Sequence, residues 1–282
     1  METLQGLHIV ITRPIAQAQV WAQRLEEQDA VAHIIPLLEI VPVSEPTQIR
    51  AIQNCILDFD LYKKAIFVSQ NAVQHGFEWI ENYWPQLPIG IDFFAVGDTT
   101  AKQLNNHGAR VTDLAQTQTG AMTSETLLES PALQNVDGEK IIILRGVGGR
   151  THLGDELEAR GAQVHYCELY ERRLPQTAVQ EFTDFFQQIY QADLAVDNAK
   201  IVITLHSGEA LKNLCDLLDE LSVSDTALKR TVLQKVNLLV PSARILEQAH
   251  AAEFENVFAA QNATDASMLQ GLMDLKRNLK KV

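Results

Sequence analysis

The chain is poor in cysteine, in positive charge and in long apolar runs, and each shortage removes a class of protein. Three cysteines in 282 residues, Cys55, Cys167 and Cys215, are too few and too scattered for a disulfide framework. That usage favours the reducing cytoplasm. No uninterrupted apolar run approaches the ~20 residues needed to cross a bilayer. The N-terminus runs directly into a strand pattern, without a basic segment followed by an apolar stretch, so no signal peptide is expected. Lysine and arginine number 23 against 36 aspartates and glutamates, a formal net charge of −13. Nucleic acid and anionic membrane both need a broad positive field, so neither is an expected partner. The basic tail from Lys276 to Lys281 reads as the complement of a helix dipole.

Several catalytic signatures are missing too. The eight histidines form no H-x-H or H-E-x-x-H pair, and no Cys/His cluster has metal-ligand spacing, so no metal site is expected. There is no G-x-x-x-x-G-K-[ST], and Gly146-Val147-Gly148-Gly149 lacks the third-glycine spacing of a dinucleotide fingerprint. No G-x-S-x-G elbow supports a serine triad. An anionic small molecule stays compatible with this acidic chain if local arginines and backbone amides bind it.

What the chain does contain is a repeat. Leu7-His8-Ile9-Val10-Ile11-Thr12-Arg13 is echoed by Lys140-Ile141-Ile142-Ile143-Leu144-Arg145, with Arg13 and Arg145 lying 132 positions apart. At the same offset Leu25 falls on Leu157, Ala30 on Ala162, His33 on His165, Leu37 on Leu169 and Glu39 on Glu171. Whatever half-site one copy builds, the other can build as well. A cleft between the two halves is therefore the first place to expect chemistry.

Around the repeat, strand and helix patterns alternate. Leu7–Ile11 is a continuous apolar run suited to a buried parallel strand. Pro14 then opens a helix with Ala18, Trp21 and Leu25 on one face, and Val31–Ile35 is the next strand. A proline-marked extended stretch, Pro36–Pro46, leads to helix Ile49–Leu57, strand Lys64–Val68 and helix Ala72–Ile80. Strand Asp92–Val96, helix Thr99–His107, a short strand Ala109–Thr112 and a capped helix Thr123–Leu128 follow. The second copy supplies strand Ile141–Leu144, helix His152–Arg160 and strand Gln163–Leu169. The middle pattern then recurs as strand Lys200–Thr204, helix Ser207–Leu218, strand Val236–Val240, helix Ile245–Ala252 and a last helix from about Ala266. On the helix after Ser207, Cys215 shares a stripe with Leu211, Leu214 and Leu218 and reads as a core thiol.

This alternation predicts an α/β protein with two Rossmann/flavodoxin-like parallel-sheet domains. The extended pieces near 37–43 and 164–173 hold equivalent places in the two copies and predict a two-stranded linker. Residues 1–37 and 173–282 then form a discontinuous first domain, and 38–172 the second.

Ligands of open α/β sheets sit beyond the carboxyl ends of the strands, at helix N-termini. The segments there are Thr12-Arg13-Pro14, Ser69-Gln70-Asn71, Gly97-Asp98-Thr99-Thr100, Arg145 to Arg150, His206-Ser207-Gly208 and Pro241-Ser242-Ala243-Arg244. Hydroxyls, glycines and arginines suit carboxylate or phosphate groups. The same serines also serve as plain helix caps, and the glycines as plain turns. Tyr170 has two readings. It is either an amphipathic ring covering the interdomain strands or a phenol that holds a proton in the cleft. A two-domain ligand-binding module fits the same outline.

In order and spacing, these motifs resemble the uroporphyrinogen-III synthase family. The resemblance runs through Thr12-Arg13-Pro14, Val68-Ser69-Gln70-Asn71-Ala72-Val73, Ala95-Val96-Gly97-Asp98-Thr99-Thr100-Ala101, Ile143 to Arg150 and Leu169-Tyr170-Glu171-Arg172. Ser207-Gly208-Glu209 and Val240-Pro241-Ser242-Ala243-Arg244 continue it in the style of gamma-proteobacterial members, covering about residues 7–275. The resemblance implies a cofactor-free, cytoplasmic lyase of tetrapyrrole (haem) biosynthesis, expected to be a monomer. It would close linear hydroxymethylbilane to uroporphyrinogen III, with loss of water and inversion of ring D through a spirocyclic intermediate. Transient contact with the upstream hydroxymethylbilane synthase is left open. The resemblance assigns Tyr170 to departure of the substrate hydroxyl. It matches Thr100 to a family active-site threonine, and together with the segments after the strands this makes Arg13, Ser69, Gly97, Thr100, Arg145, Gly146, Ser207, Gly208, Ser242 and Arg244 the expected substrate-binding residues. Many members carry a G-x-x-T-A turn where this chain has Pro241-Ser242-Ala243-Arg244-Ile245, which puts a threonine contact there in doubt.

Overall fold

The computed structural model describes residues 3–112, 123–191 and 200–279, so Lys280 and Lys281 of the basic tail lie outside the described residues. Its strands are β1 (His8–Ile11), β2 (Val31–Ile34), β3 (Glu39–Pro42), β4 (Lys64–Phe67), β5 (Asp92–Ala95), β6 (Lys140–Gly146), β7 (Gln163–Arg173), β8 (Ile201–Thr204), β9 (Asn237–Val240) and β10 (Val257–Ala259). They form two five-stranded sheets, ordered β10-β9-β8-β1-β2 and β3-β7-β6-β4-β5. All pairings of the first sheet are parallel, as are those joining β7, β6, β4 and β5. The chain divides into a first unit, Met1–Glu39 with Arg173–Val282, and a second, Ile40–Arg172. At the crossing, Arg173 Nε donates to Glu39 Oε1 at 2.7 Å.

Each sheet is buried on both faces, which is why its strands read as continuous apolar runs. In the first unit Val10, Ile201, Ile203, Leu238 and Val240 enter one core. Ile9, Ile11, Val202 and Leu239 alternate into the other. In the second unit Ala65, Phe67, Ile142 and Leu144 face one core, and Ile66, Phe94, Ile141 and Ile143 the opposite one. The repeat keeps its register. Val10 pairs with His33 and Ile142 with His165, positions related by the same offset.

Among the described residues, two α-helices and one strand have no counterpart in the sequence pattern. Helix Ala178–Gln191 buries Phe182, Phe185, Phe186 and Ile189, an i, i+3, i+4, i+7 stripe that is plain once inspected. Helix Thr226–Lys235 buries only Leu228 and Val232, and strand β10 has three residues, so both carry weak periodic signals. Conversely, the expected strand Ala109–Thr112 shrinks to a single bridge between Val111 and Phe93.

Helix Gln70–Tyr83 packs tightly on the second sheet at Gly76, where a Cβ would come within 3.0 Å of both Leu144 and Phe67 side chains. Gly76→Val is expected to overpack that contact and cost about 2 kcal/mol. Urea denaturation of the two proteins measures this, and equal midpoints would show that the helix has room to move.

Candidate active site

In a doubly wound sheet the binding crevice opens where successive connections run in opposite directions. The first unit reverses between β1 and β8, paired Ile11 to Thr204, and the second between β6 and β4, paired Leu144 to Phe67. The two junctions are built alike. After β8, Ser207 caps helix Gly208–Ser224 by accepting from Ala210 N–H at 3.1 Å. After β4, Ser69 caps helix Gln70–Tyr83 by accepting from Ala72 N–H at the same distance. One strand further out, Ser242 accepts from Ile245 N–H at 3.4 Å, while its counterpart Gly97 (φ 93°) has no side chain to cap with. Each junction therefore presents the first-turn N–H groups of two helices, a ready anion site. Asp98 and Glu209 lie in first turns as well and offset part of that positive potential.

The two arginines of the repeat differ. Arg13 keeps 21% of its side chain exposed and pairs with Asp265 Oδ1 at 2.6 Å; Arg24 holds the other oxygen of that carboxylate at 2.7 Å. Arg145, with 6% exposed, is turned into its own loop. It donates to the carbonyls of Gly146, Gly149 and Arg150, lies 3.5 Å from Glu168 Oε1, and stacks 4.5 Å over the Tyr166 ring. Its donors shape the loop, and Gly148 N–H is held by Glu168 at 3.1 Å. Thr100 is also sealed, 2% exposed in the first turn of its helix, whereas Arg244 is exposed and Gly208 lies near Gln248.

Tyr170 lies in the second unit's core, 3% exposed, with its hydroxyl 2.9 Å from Ser69 Oγ. A register slip brings it there. Arg145 pairs with Glu168, but Gly146 pairs with Tyr170, so the consecutive residues Leu169 and Tyr170 are both buried. Gly146 is required by the ring, since a Cβ there would come within 2.6 Å of Tyr170 Cε2. At the equivalent place in the first unit stands Leu38. Ser69 and Gly146, both expected on the ligand rim, touch the tyrosine. Among the described residues no group of three or more His, Cys, Asp or Glu is placed to hold a metal ion.

Beside Arg13, neither ring nitrogen of His206 has a hydrogen-bond partner among the described residues; both are sealed from water, as is Trp21 Nε1. Burial, helped by the Arg13 charge and opposed by Asp265, pushes the His206 pKa down to about 4. The folded value is thus depressed below that of the unfolded chain, about 6.5. Stability contributed above pH 6.5 is lost as pH falls toward 4, because the unfolded chain takes up the proton first. His206→Leu should lose less stability than wild type between pH 7 and pH 5, by on the order of 1–2 kcal/mol. Urea midpoints at the two pH values test this; identical pH slopes would contradict it.

The family model described as uroporphyrinogen-III synthase HemD matches residues 19–270. Uroporphyrinogen-III synthase of Escherichia coli (strain K12) is 31% identical over 270 residues, covering 94% of this chain and all of that protein. The Salmonella typhimurium enzyme of the same name is 29% identical over 266 residues, with the same two coverages. Among solved structures, uroporphyrinogen-III synthetase from Helicobacter pylori superposes with a TM-score of 0.55 at 15% identity, over 97% of this chain and 99% of that one. A mutant synthase from Thermus thermophilus gives 0.53 at 14%, over 98% and 100%. These two likenesses establish the two-domain α/β fold.

Proposed function

The chain belongs to the uroporphyrinogen-III synthase family, and from that premise we propose that it cyclises hydroxymethylbilane to uroporphyrinogen III in tetrapyrrole biosynthesis. It is a lyase. The observation that carries the reading is end-to-end similarity, with 31% identity across 94% of this chain and the whole of the Escherichia coli enzyme. The helix N-termini and the partly exposed Arg13 are suited to the substrate's many carboxylates and need no cofactor.

The chemistry asks for one proton donor and a firm grip. Tyr170 gives its phenolic proton to the departing hydroxyl; the C–O electron pair leaves with the oxygen as water, and an azafulvene cation remains. The substituted carbon of ring D attacks that cation, and the resulting spirocycle fragments and recloses with the ring inverted. The ring-carbon proton released on closure restores the phenol. Ser69, 2.9 Å from the phenol oxygen, holds it in place. Arg13, Ser207, Gly208, Ser242 and Arg244 in the first unit, with Gly97 and the backbone of the Arg145–Arg150 loop in the second, bind carboxylates and fix the conformation that favours inversion. Arg145 and Gly146 act by shaping that loop, and buried Thr100 by packing its helix start. The protein works in the cytoplasm as a monomer, a reading compatible with transient contact with the upstream hydroxymethylbilane synthase.

Incubation with freshly prepared hydroxymethylbilane tests the activity, because spontaneous closure gives isomer I. Accumulation of isomer III is expected, and isomer I alone would refute the assignment. Tyr170→Phe should lower turnover at least about a hundredfold with the fold intact. Near wild-type turnover would remove Tyr170 from the chemistry. Arg13→Ala should raise KM more than it lowers kcat; an unchanged KM would take it out of the site.

A further inference from the structure

Ser69 touches the tip of Tyr170 and Gly146 its ring, but a third neighbour belongs to no sequence motif. His75, in the second turn of helix Gln70–Tyr83, is 8% exposed. Its imidazole centroid lies 5.5 Å from that of the Tyr170 ring, at an interplanar angle of 33°. Its Nδ1 is 3.0 Å from Glu78 Oε2, one turn along the same helix. The Glu78 side chain is 53% exposed, so its carboxylate meets water while anchoring a ring that is mostly buried.

The first unit supplies an internal comparison. His75 is the sixth residue after the cap Ser69, and the sixth after the cap Ser207 is Asn213, buried as well. Asn213 Nδ2 donates to Leu37 O at 2.6 Å, gripping the backbone beside Leu38, the counterpart of Tyr170. Each helix therefore buries a polar side chain against one of the two segments that cross between the units. Where the segment carries leucine, a short amide holding a carbonyl suffices. Where it carries tyrosine, the position holds a planar ring oriented by a carboxylate.

We infer that His75, held by Glu78, is a positioning residue for Tyr170. It closes the slot in which the phenol is kept aligned with Ser69 and with the departing hydroxyl. The inference rests on the reading of Tyr170 as proton donor. Proton transfer needs the donor within hydrogen-bond reach of its target, and misplacement by about 1 Å can cost a hundredfold. Core packing buries the phenol, but Ser69 meets only its tip and Gly146 only one part of its ring, so a tilt about its side-chain torsions stays open without a further ring beside it. The imidazole removes that freedom without touching substrate.

The test uses the full chain and freshly made hydroxymethylbilane, measuring isomer III. His75→Leu should lower kcat about tenfold while KM stays within about twofold. In a Tyr170→Phe background the same substitution should have no further effect, since it acts only through the phenol. Glu78→Ala, which opens no core cavity, should give a smaller drop with the same dependence on Tyr170, and it decides the matter if His75→Leu does not fold. Wild-type kcat in both variants would overturn the inference. So would equal losses with and without Tyr170, which mark a merely structural role. Full turnover by Tyr170→Phe alone would remove the proton donor and His75 with it. Impaired turnover there without coupling would remove His75 only.

Discussion

Both units depend on one pair of adjoining parallel strands, β1 with β8 in the first and β6 with β4 in the second. Connections wind away from that pair in opposite directions, so the loops leaving its carboxyl ends diverge and open a crevice. The pair is rigid because its side chains are almost wholly buried, alternating between two cores. In the first unit it is also stitched by threonines, with Thr12 Oγ1 donating to Thr204 O at 2.8 Å and Thr204 Oγ1 to Val10 O at 3.0 Å. A rim built on such a base can vary its side chains without disturbing the sheet. Loops borne on a fixed scaffold commonly carry function for this reason.

That freedom is visible in how the copies diverge. Arg145 finds Tyr166 to stack on and Glu168 to pair with, both on β7. The matching positions around Arg13 are Ile34 and Pro36, which offer an arginine neither. Arg13 turns instead to Asp265, at the start of the last helix. The same backbone position thus yields a loop staple in one unit and a partly exposed cation in the other. His75 and Asn213, Tyr170 and Leu38, and Gly97 and Ser242 diverge similarly.

How much of this was legible follows from which interactions are local. The α/β class and the parallel sheets were legible because a strand buried on both faces leaves a continuous apolar run, as in Ile141–Leu144. The serine caps were legible because Ser-to-N3 bonding is set within one turn. The inward turn of Arg145 was not, since it needs Glu168 and Tyr166 from another strand, although the repeat offset exposes the Pro36 and Ile34 contrast. The Tyr170 slot depends on a register slip and on His75, nearly a hundred residues earlier, and no periodicity encodes either. Helix Ala178–Gln191 falls at the repeat offset from helix Pro46–Leu57 and carries a phenylalanine stripe, so its signals were local and legible as well.

Electrostatics then divides the labour between the units. A chain with net charge −13 repels a polycarboxylate at long range, so binding must rest on local groups. Around Asp265, two arginines share one carboxylate, leaving a formal surplus of one positive charge at the first unit's rim. These side chains are partly exposed, so the surplus is screened by salt and selects for anions more than it tightens binding. In the second unit Arg145 is buried beside Glu168, and no such surplus arises from that pair. What the second unit has instead is a buried phenol whose hydroxyl meets the cap serine of helix Gln70–Tyr83. A strong fixed cation beside Tyr170 would also oppose the azafulvene cation forming there. On the proposed reading, charge that grips the substrate belongs on the rim that lacks the tyrosine, and the arrangement of Arg13 and Arg145 follows that rule.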